Sequence, residues 1–233
     1  MSRGLGGRFG TGPAKYEKMA CMSEAGVTGR RSRTPSADVE RELLSAAEEV
    51  LVRDGPSGLT VRAVAARAGI APMGVYNRLG GKDGLVEALL IRGFDRLRAA
   101  LEAGNEPDML VRLRNSVLRY REFALANPHF YALMFEHAKH EAEVAEHAAA
   151  CFVAWVRNVE LTAAAGQIVA PDPPEVAQQI WSAVHGAVAL ELKGLVCTPD
   201  PEATYSALFD TIIRGLARQV RARRDLRTRS AAG

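Results

Sequence analysis

The chain has 233 residues, 48% of them hydrophobic, which is enough to bury a sizeable core in one or two domains. Its three cysteines form no CxxC pair and no even set, which argues against a disulfide framework or a zinc ribbon, and no apolar run is long enough to span a membrane. The net charge of +3 is unevenly spread: residues 1–36 carry +5 and residues 214–233 carry +6, whereas residues 83–213 carry −8. An acidic body repels phosphate, so any contact with nucleic acid belongs to the N-terminal part or the tail.

Residues 1–36 hold seven basic residues and several glycines without helical periodicity, and read as a disordered basic arm. Arg30, Arg31 and Arg33 either reach into a minor groove or add only non-specific attraction. Met19 and Met22 are alternative starts, and the segment lacks the apolar stretch of an export signal, so a cytoplasmic location is expected. A first helix follows over about 36–53, with Leu43, Ala47, Val50 and Leu51 on one face, and Gly55-Pro56-Ser57-Gly58 ends it.

Residues 60–85 carry the sharpest signal. Val61, Val64, Ala65 and Ala68 fall at i, i+3, i+4 and i+7 of a short helix, and Thr60 stands where a capping hydroxyl belongs. Gly69 allows a turn, and Pro72 suits the first position of a second helix running to Leu79; a third opens at Lys82. Two helices joined by a short glycine-containing turn match a helix-turn-helix, whose second helix enters the major groove of DNA. Residues 55–82 hold Arg62, Arg67, Arg78 and Lys82 and no acid.

Thr60, the Ala-x-x-Ala-Gly run from Ala65 to Gly69, Tyr76, Lys82 and Leu85 together resemble the DNA-binding signature of the TetR (AcrR-like) family of bacterial transcriptional regulators. That resemblance implies phosphate contacts from Thr60, Tyr76 and Lys82, the last aided by the positive end of the helix it opens. Base reading then falls to Ala71, Pro72, Met73, Gly74 and Asn77: Asn77 can pair with adenine, Met73 can pack on a thymine methyl, and Gly74 lets the backbone approach. The chain departs from the pattern in three ways. Ala71 replaces a capping Ser or Thr, Leu79 replaces an aromatic, and Gly80-Gly81 predict a loose link before Lys82.

Val86, Leu89, Leu90, Phe94, Leu97 and Leu101 predict a long amphipathic helix, stopped by Gly104-Asn105-Glu106-Pro107. Further helices are expected at about 108–127, 128–138, 141–165, 174–196 and 200–224, punctuated by Pro128 and the 171–174 proline cluster. The segment YREFALANPHFYALMF, with Trp181, His185 and Gly186, resembles the C-terminal domain of a TetR subgroup carrying a Trp-x-x-x-His-Gly element. Tyr120, Phe123, Phe130, Met134, Phe152, Trp155, Trp181 and His185 form either a filled core or the lining of a small-molecule cavity, which periodicity does not distinguish. His137, His140, Glu141 and His147 straddle an expected helix break with no thiolate near, so neither a metal site nor a cofactor is expected.

Two apolar stripes, Val176, Ile180, Val184, Val188, Leu192 and Leu195, then Leu208, Phe209, Ile212, Ile213, Leu216 and Val220, suggest a four-helix bundle with a second copy of the chain. The expected fold is all-α with about nine helices. A three-helix DNA-binding domain at 37–85 precedes a helical effector-binding and dimerisation domain at 86–223 and a disordered tail at 224–233. No catalytic residues stand out, and no Ser-His-Asp order or nucleotide loop is present, so an enzyme is not expected. By resemblance the chain is a homodimeric repressor, released from a palindromic operator in double-stranded DNA by an unknown small-molecule effector. The alternative is a non-specific DNA-binding or protein-interaction factor without a ligand switch.

Overall fold

The computed structural model describes residues 36–136 and 142–231, and among these all regular structure is helical. In chain order the helices are α1 (Ser36–Gly58), α2 (Val61–Ala68), α3 (Pro72–Leu79), α4 (Lys82–Glu102), α5 (Met109–Ala126), α6 (Pro128–Glu136), α7 (Ala142–Ala164), α8 (Pro173–Leu192) and α9 (Pro201–Ala231). The expected basic arm up to residue 35, and His137, His140 and Glu141, lie outside the described residues.

Local chemistry fixes most boundaries. α1 is broken at Gly55, whose backbone leaves the helical region just before Pro56. The Asp108 carboxylate accepts from the backbone N–H groups of Leu110 (2.8 Å) and Val111 (3.1 Å), and Asp172 from that of Glu175 (3.3 Å). Pro128, Pro173 and Pro201 each open a helix, where a missing N–H costs nothing. The last helix departs from expectation: it continues through the supposed tail as far as Ala231.

α4 links the two halves. Its buried face, Leu85, Leu89, Leu90, Phe94, Leu97 and Leu101, begins beside α3 and ends deep in the body. α7 holds it there through backbone acceptors one heptad apart: the Cys151 thiol donates to the Phe94 carbonyl (3.0 Å) and the Asn158 amide to that of Leu101 (3.3 Å). On the other side Glu48 of α1 accepts from Arg92 at 2.5 Å and from Arg96 at 2.8 and 2.9 Å. Arg96 also lies over the Phe130 ring, 5.5 Å from its centroid, so α1, α4 and α6 meet at one point.

The expected open stripes are mostly closed within the chain. Val176, Ile180, Val184 and Val188 are buried, as are Phe209 and Ile213, because α8 packs on α7, α5 and α9. Leu208, Ile212 and Leu216 are half-buried, while Leu195, beyond the end of α8, is exposed. What lies open on α8 is a different face, through Gln179, Ser182, Gly186 and Leu190. An apolar stripe identifies the face that is buried, and here the chain's own helices bury it.

Candidate DNA-binding surface and ligand cavity

The helix-turn-helix forms as its residue spacing requires. The Thr60 hydroxyl accepts from the Ala63 N–H at 3.1 Å, which starts α2, and Val61, Val64 and Ala65 turn inward. In α3, Val75 and Leu79, one turn apart, are buried against the core, each contributing about 1.5–3 kcal/mol. The opposite side of α3 is open: Met73 is 64% and Tyr76 54% exposed, with Ala71, Pro72 and Asn77 exposed beside them. Ala71 caps α3 without any side-chain bond, as a methyl group must.

The glycines behave differently from expectation. Gly80 (φ 70°) and Gly81 (φ 99°) both adopt left-handed backbone, so they make a defined turn that other residues would strain, in place of a loose link. The Tyr76 ring lies on Gly81: a Cβ there would come within 2.9 Å of it. The ring thus rests on the residue that precedes Lys82, itself exposed at the N-terminus of α4. Gly74 is only half-exposed, and a Cβ on it would meet the Ile70 Cδ1 at 2.9 Å, so its lack of a side chain has a packing use as well. Gly84, which drew no notice in the sequence, sits under the end of α3, with the Leu79 carbonyl oxygen where its Cβ would be. Of the basic residues in this unit, Arg67 pairs with Glu49 of α1, whereas Arg62 and Lys82 are exposed.

The helical body contains a cavity of about 220 Å³. Phe94 and Leu97 of α4, Tyr120 of α5, Met134 and Phe135 of α6, Ala148, Cys151, Phe152 and Trp155 of α7, and Trp181 of α8 line it. Tyr120, Met134, Phe152, Trp155 and Trp181 are where the sequence placed them. Phe123 is not part of it: near the C-terminal end of α5 it packs on the core outside the cavity. Phe130 faces α4 and Arg96 instead. Phe94 and Leu97 were legible only as part of the apolar face of α4, because the faces they oppose come from distant helices.

His185 lies behind the lining. Its Nδ1 is 2.6 Å from the Tyr131 hydroxyl and 2.8 Å from that of Tyr120; the two hydroxyls are 3.0 Å apart, and the Trp181 indole N–H donates to Tyr120 at 3.3 Å. With Nδ1 unprotonated, Tyr131 donates to it, Tyr120 donates to Tyr131 and Trp181 donates to Tyr120, so both phenol protons and the indole proton have acceptors. Protonating Nδ1 makes it a donor and leaves one phenol without an acceptor. Burial acts in the same direction, holding the His185 pKa below its ordinary value. Burial also pushes the Tyr120 phenol and the Cys151 thiol up to about 12, and raises Tyr131. The cluster is uncharged at neutral pH.

A histidine depressed in the folded state takes up its proton more readily when unfolded, so its contribution to stability is complete above about pH 6.5 and is lost as pH falls through the folded value. Melting curves between pH 7 and pH 5 should therefore fall more steeply for the wild type than for His185→Gln. Parallel slopes would show that His185 is not held neutral. His147, by contrast, pairs with Asp95 at 2.8 Å, and among the described residues no group of His, Cys, Asp or Glu is arranged to hold a metal.

Comparisons with known proteins agree with this architecture. Residues 43–89 match the sequence model for bacterial regulatory proteins of the tetR family, and residues 113–216 match that for the tetracyclin repressor-like C-terminal domain. The chain is 26% identical over 213 residues to an uncharacterized HTH-type transcriptional regulator of Mycobacterium tuberculosis, covering 86% of this chain and 96% of the relative. A protein of unknown function from Rhodococcus sp. RHA1 superposes with a TM-score of 0.71 at 30% identity, over 82% of this chain and all of the other. A tetR-family regulatory protein from Rhodococcus RHA1 superposes with a TM-score of 0.58 at 21% identity, over 77% of this chain and 97% of the other. A capped helix-turn-helix with an open second helix, set on a helical body that both family halves match, makes this chain a DNA-binding transcriptional regulator of the TetR family.

Proposed function

We propose that this regulator is a homodimeric repressor that holds a palindromic operator and leaves it when a small molecule enters the cavity. The open side of α3, with its opposite side anchored by Val75 and Leu79, is the observation that carries the reading. Asn77, Met73, Ala71 and Pro72 read base edges. Tyr76, Lys82 and Thr60 bond phosphates and set the register.

α4 couples the two sites. It starts at Lys82, next to the Gly81 on which the Tyr76 ring rests, and its Phe94 and Leu97 form part of the cavity wall. A ligand that fits only when this wall moves outward shifts α4, and with it the separation of the two recognition helices. Such a ligand must bind the DNA-incompetent arrangement more tightly, because equal affinity for both shifts nothing. Dimerisation supplies the second reading helix. Its proposed surface is the open side of α8 and α9, where Gly186 and Gly215 have free space above them and Leu190 is 49% exposed.

Selection of bound fragments from a random DNA pool tests the proposal, with an inverted repeat as the expected product. On that sequence Tyr76→Phe should weaken binding to every variant alike, and Asn77→Ala should blur one base position per half-site by about 1–3 kcal/mol of discrimination. A pool that stays random across a salt series would leave only a non-specific DNA-binding factor. Sedimentation as a monomer at micromolar concentration would remove the dimer.

A further inference from the structure

We propose that the cavity takes an uncharged, mostly apolar ring compound of about nine non-hydrogen atoms, and rejects carboxylates and ammonium ions of similar size. This deepens the reading of the cavity as the effector site and rests on it.

Volume sets the size. An apolar cavity of roughly 150 Å³ accommodates benzene. The present one, at about 220 Å³, is half as large again, which corresponds to about nine non-hydrogen atoms, or one substituted ring. It lies between α4, α6 and α7, where Gly93 lets α6 approach α4 so closely that a Cβ would sit 2.9 Å from the Met134 sulfur.

Charge sets the class. None of the ten lining side chains is ionised at neutral pH, since Tyr120 and Cys151 are both held protonated by burial. The polar atoms are already engaged: the Tyr120 hydroxyl with Tyr131, His185 and Trp181, and the Cys151 thiol with the Phe94 carbonyl. The Trp155 ring packs edge-on against Tyr120, with centroids 5.7 Å apart, so this part of the wall is aromatic. The charges nearest in sequence to the wall lie outside the lining: Asp95 bonds His147 at 2.8 Å and lies 3.7 Å from Arg98. An ion entering the cavity would shed its water and meet no ionised side chain in the lining.

The chain's two tryptophans, Trp155 and Trp181, both line the cavity, so fluorescence of the intact protein reports occupancy directly. Methyl benzoate, benzoate and benzylammonium are size-matched probes that differ in charge. Methyl benzoate should give a saturable change at pH 7, with the two ions at least about tenfold weaker. Ala148→Phe and Cys151→Leu, each adding bulk inside the cavity, should reduce the methyl benzoate response at least about tenfold while leaving helical circular dichroism intact. Benzoate binding as tightly as its ester, no response to the ester at millimolar concentration, or a response that survives in whichever of the two variants folds would each overturn the proposal.

Release of DNA is measured separately, on the fragment selected by the protein. Ester binding without release supports the ligand class and removes the ligand switch. Release by benzoate alone preserves the switch and overturns the class.

Discussion

Gly84→Ala should melt well below the wild type and lose DNA affinity with it. Alanine in a helix normally stabilises relative to glycine by about 0.5–1 kcal/mol, so the expected sign is opposite to the propensity rule. The reason is contact between two backbones. A Cβ on residue 84 would stand 1.8 Å from the Leu79 carbonyl oxygen and 2.9 Å from its carbonyl carbon, and neither can rotate away as a side chain would. Either α3 lifts off α4 or the first turn of α4 unwinds.

Overpacking of this kind costs roughly 1–3 kcal/mol or more, a fall of about 2–12 °C in Tm for a chain of this size. The movement would shift Tyr76, whose ring lies on Gly81, relative to Lys82 at the start of α4. Calorimetry and titration of the selected DNA read the two effects. A variant more stable than the wild type would show that α3 does not sit on Gly84.

Arg121→Ala should be the second large loss. The Arg121 guanidinium donates through Nε and Nη2 to the two oxygens of Glu191, at 2.8 and 2.7 Å, with side-chain exposures of 12% and 14%. Glu202 of α9 lies 3.4 Å away and the Tyr205 ring 5.9 Å from the guanidinium carbon, so one side chain of α5 ties α8 to α9. The neighbouring carboxylates raise the Arg121 pKa, with the hydrogen bond to Glu191 the largest cause.

Removing the cation leaves a mostly buried carboxylate without its partner, at a cost of about 2–4 kcal/mol. Lysine should recover only part of this, because a point charge cannot replace a two-pronged fork. The double variant Arg121→Met with Glu191→Leu should be milder than Arg121→Ala alone, since no buried charge is then left over. Denaturant midpoints for the three proteins give the comparison. A single-variant loss under about 0.5 kcal/mol would mean that the pair behaves as a solvated surface bridge.

Both residues show where reading the sequence stops. Arg121 and Glu191 are 70 positions apart, and nothing in their local spacing pairs them. Gly84 looks like an ordinary weak point in a helix until the Leu79 carbonyl is seen above it. The cavity divides along the same line. Five of its eight expected residues line it, but Phe130 was drawn to Arg96 and His185 stands one layer back, hydrogen-bonded to two phenols. The direction in which an aromatic points depends on the helix it faces, and that helix comes from elsewhere in the chain.

By itself the sequence determined the helices and the reading unit. Caps, prolines, glycines and 3.6-residue periodicity act within a few positions, so α2 and α3 fall at Val61–Ala68 and Pro72–Leu79 as their spacing predicts. Tertiary structure alone decided which apolar faces close on one another. The stripe on α8 was legible, but not that the chain's own helices cover it and leave the Ser182, Gly186 and Leu190 side open. Burial is non-directional: a sequence specifies that a face must leave water, and only the packed chain specifies against what.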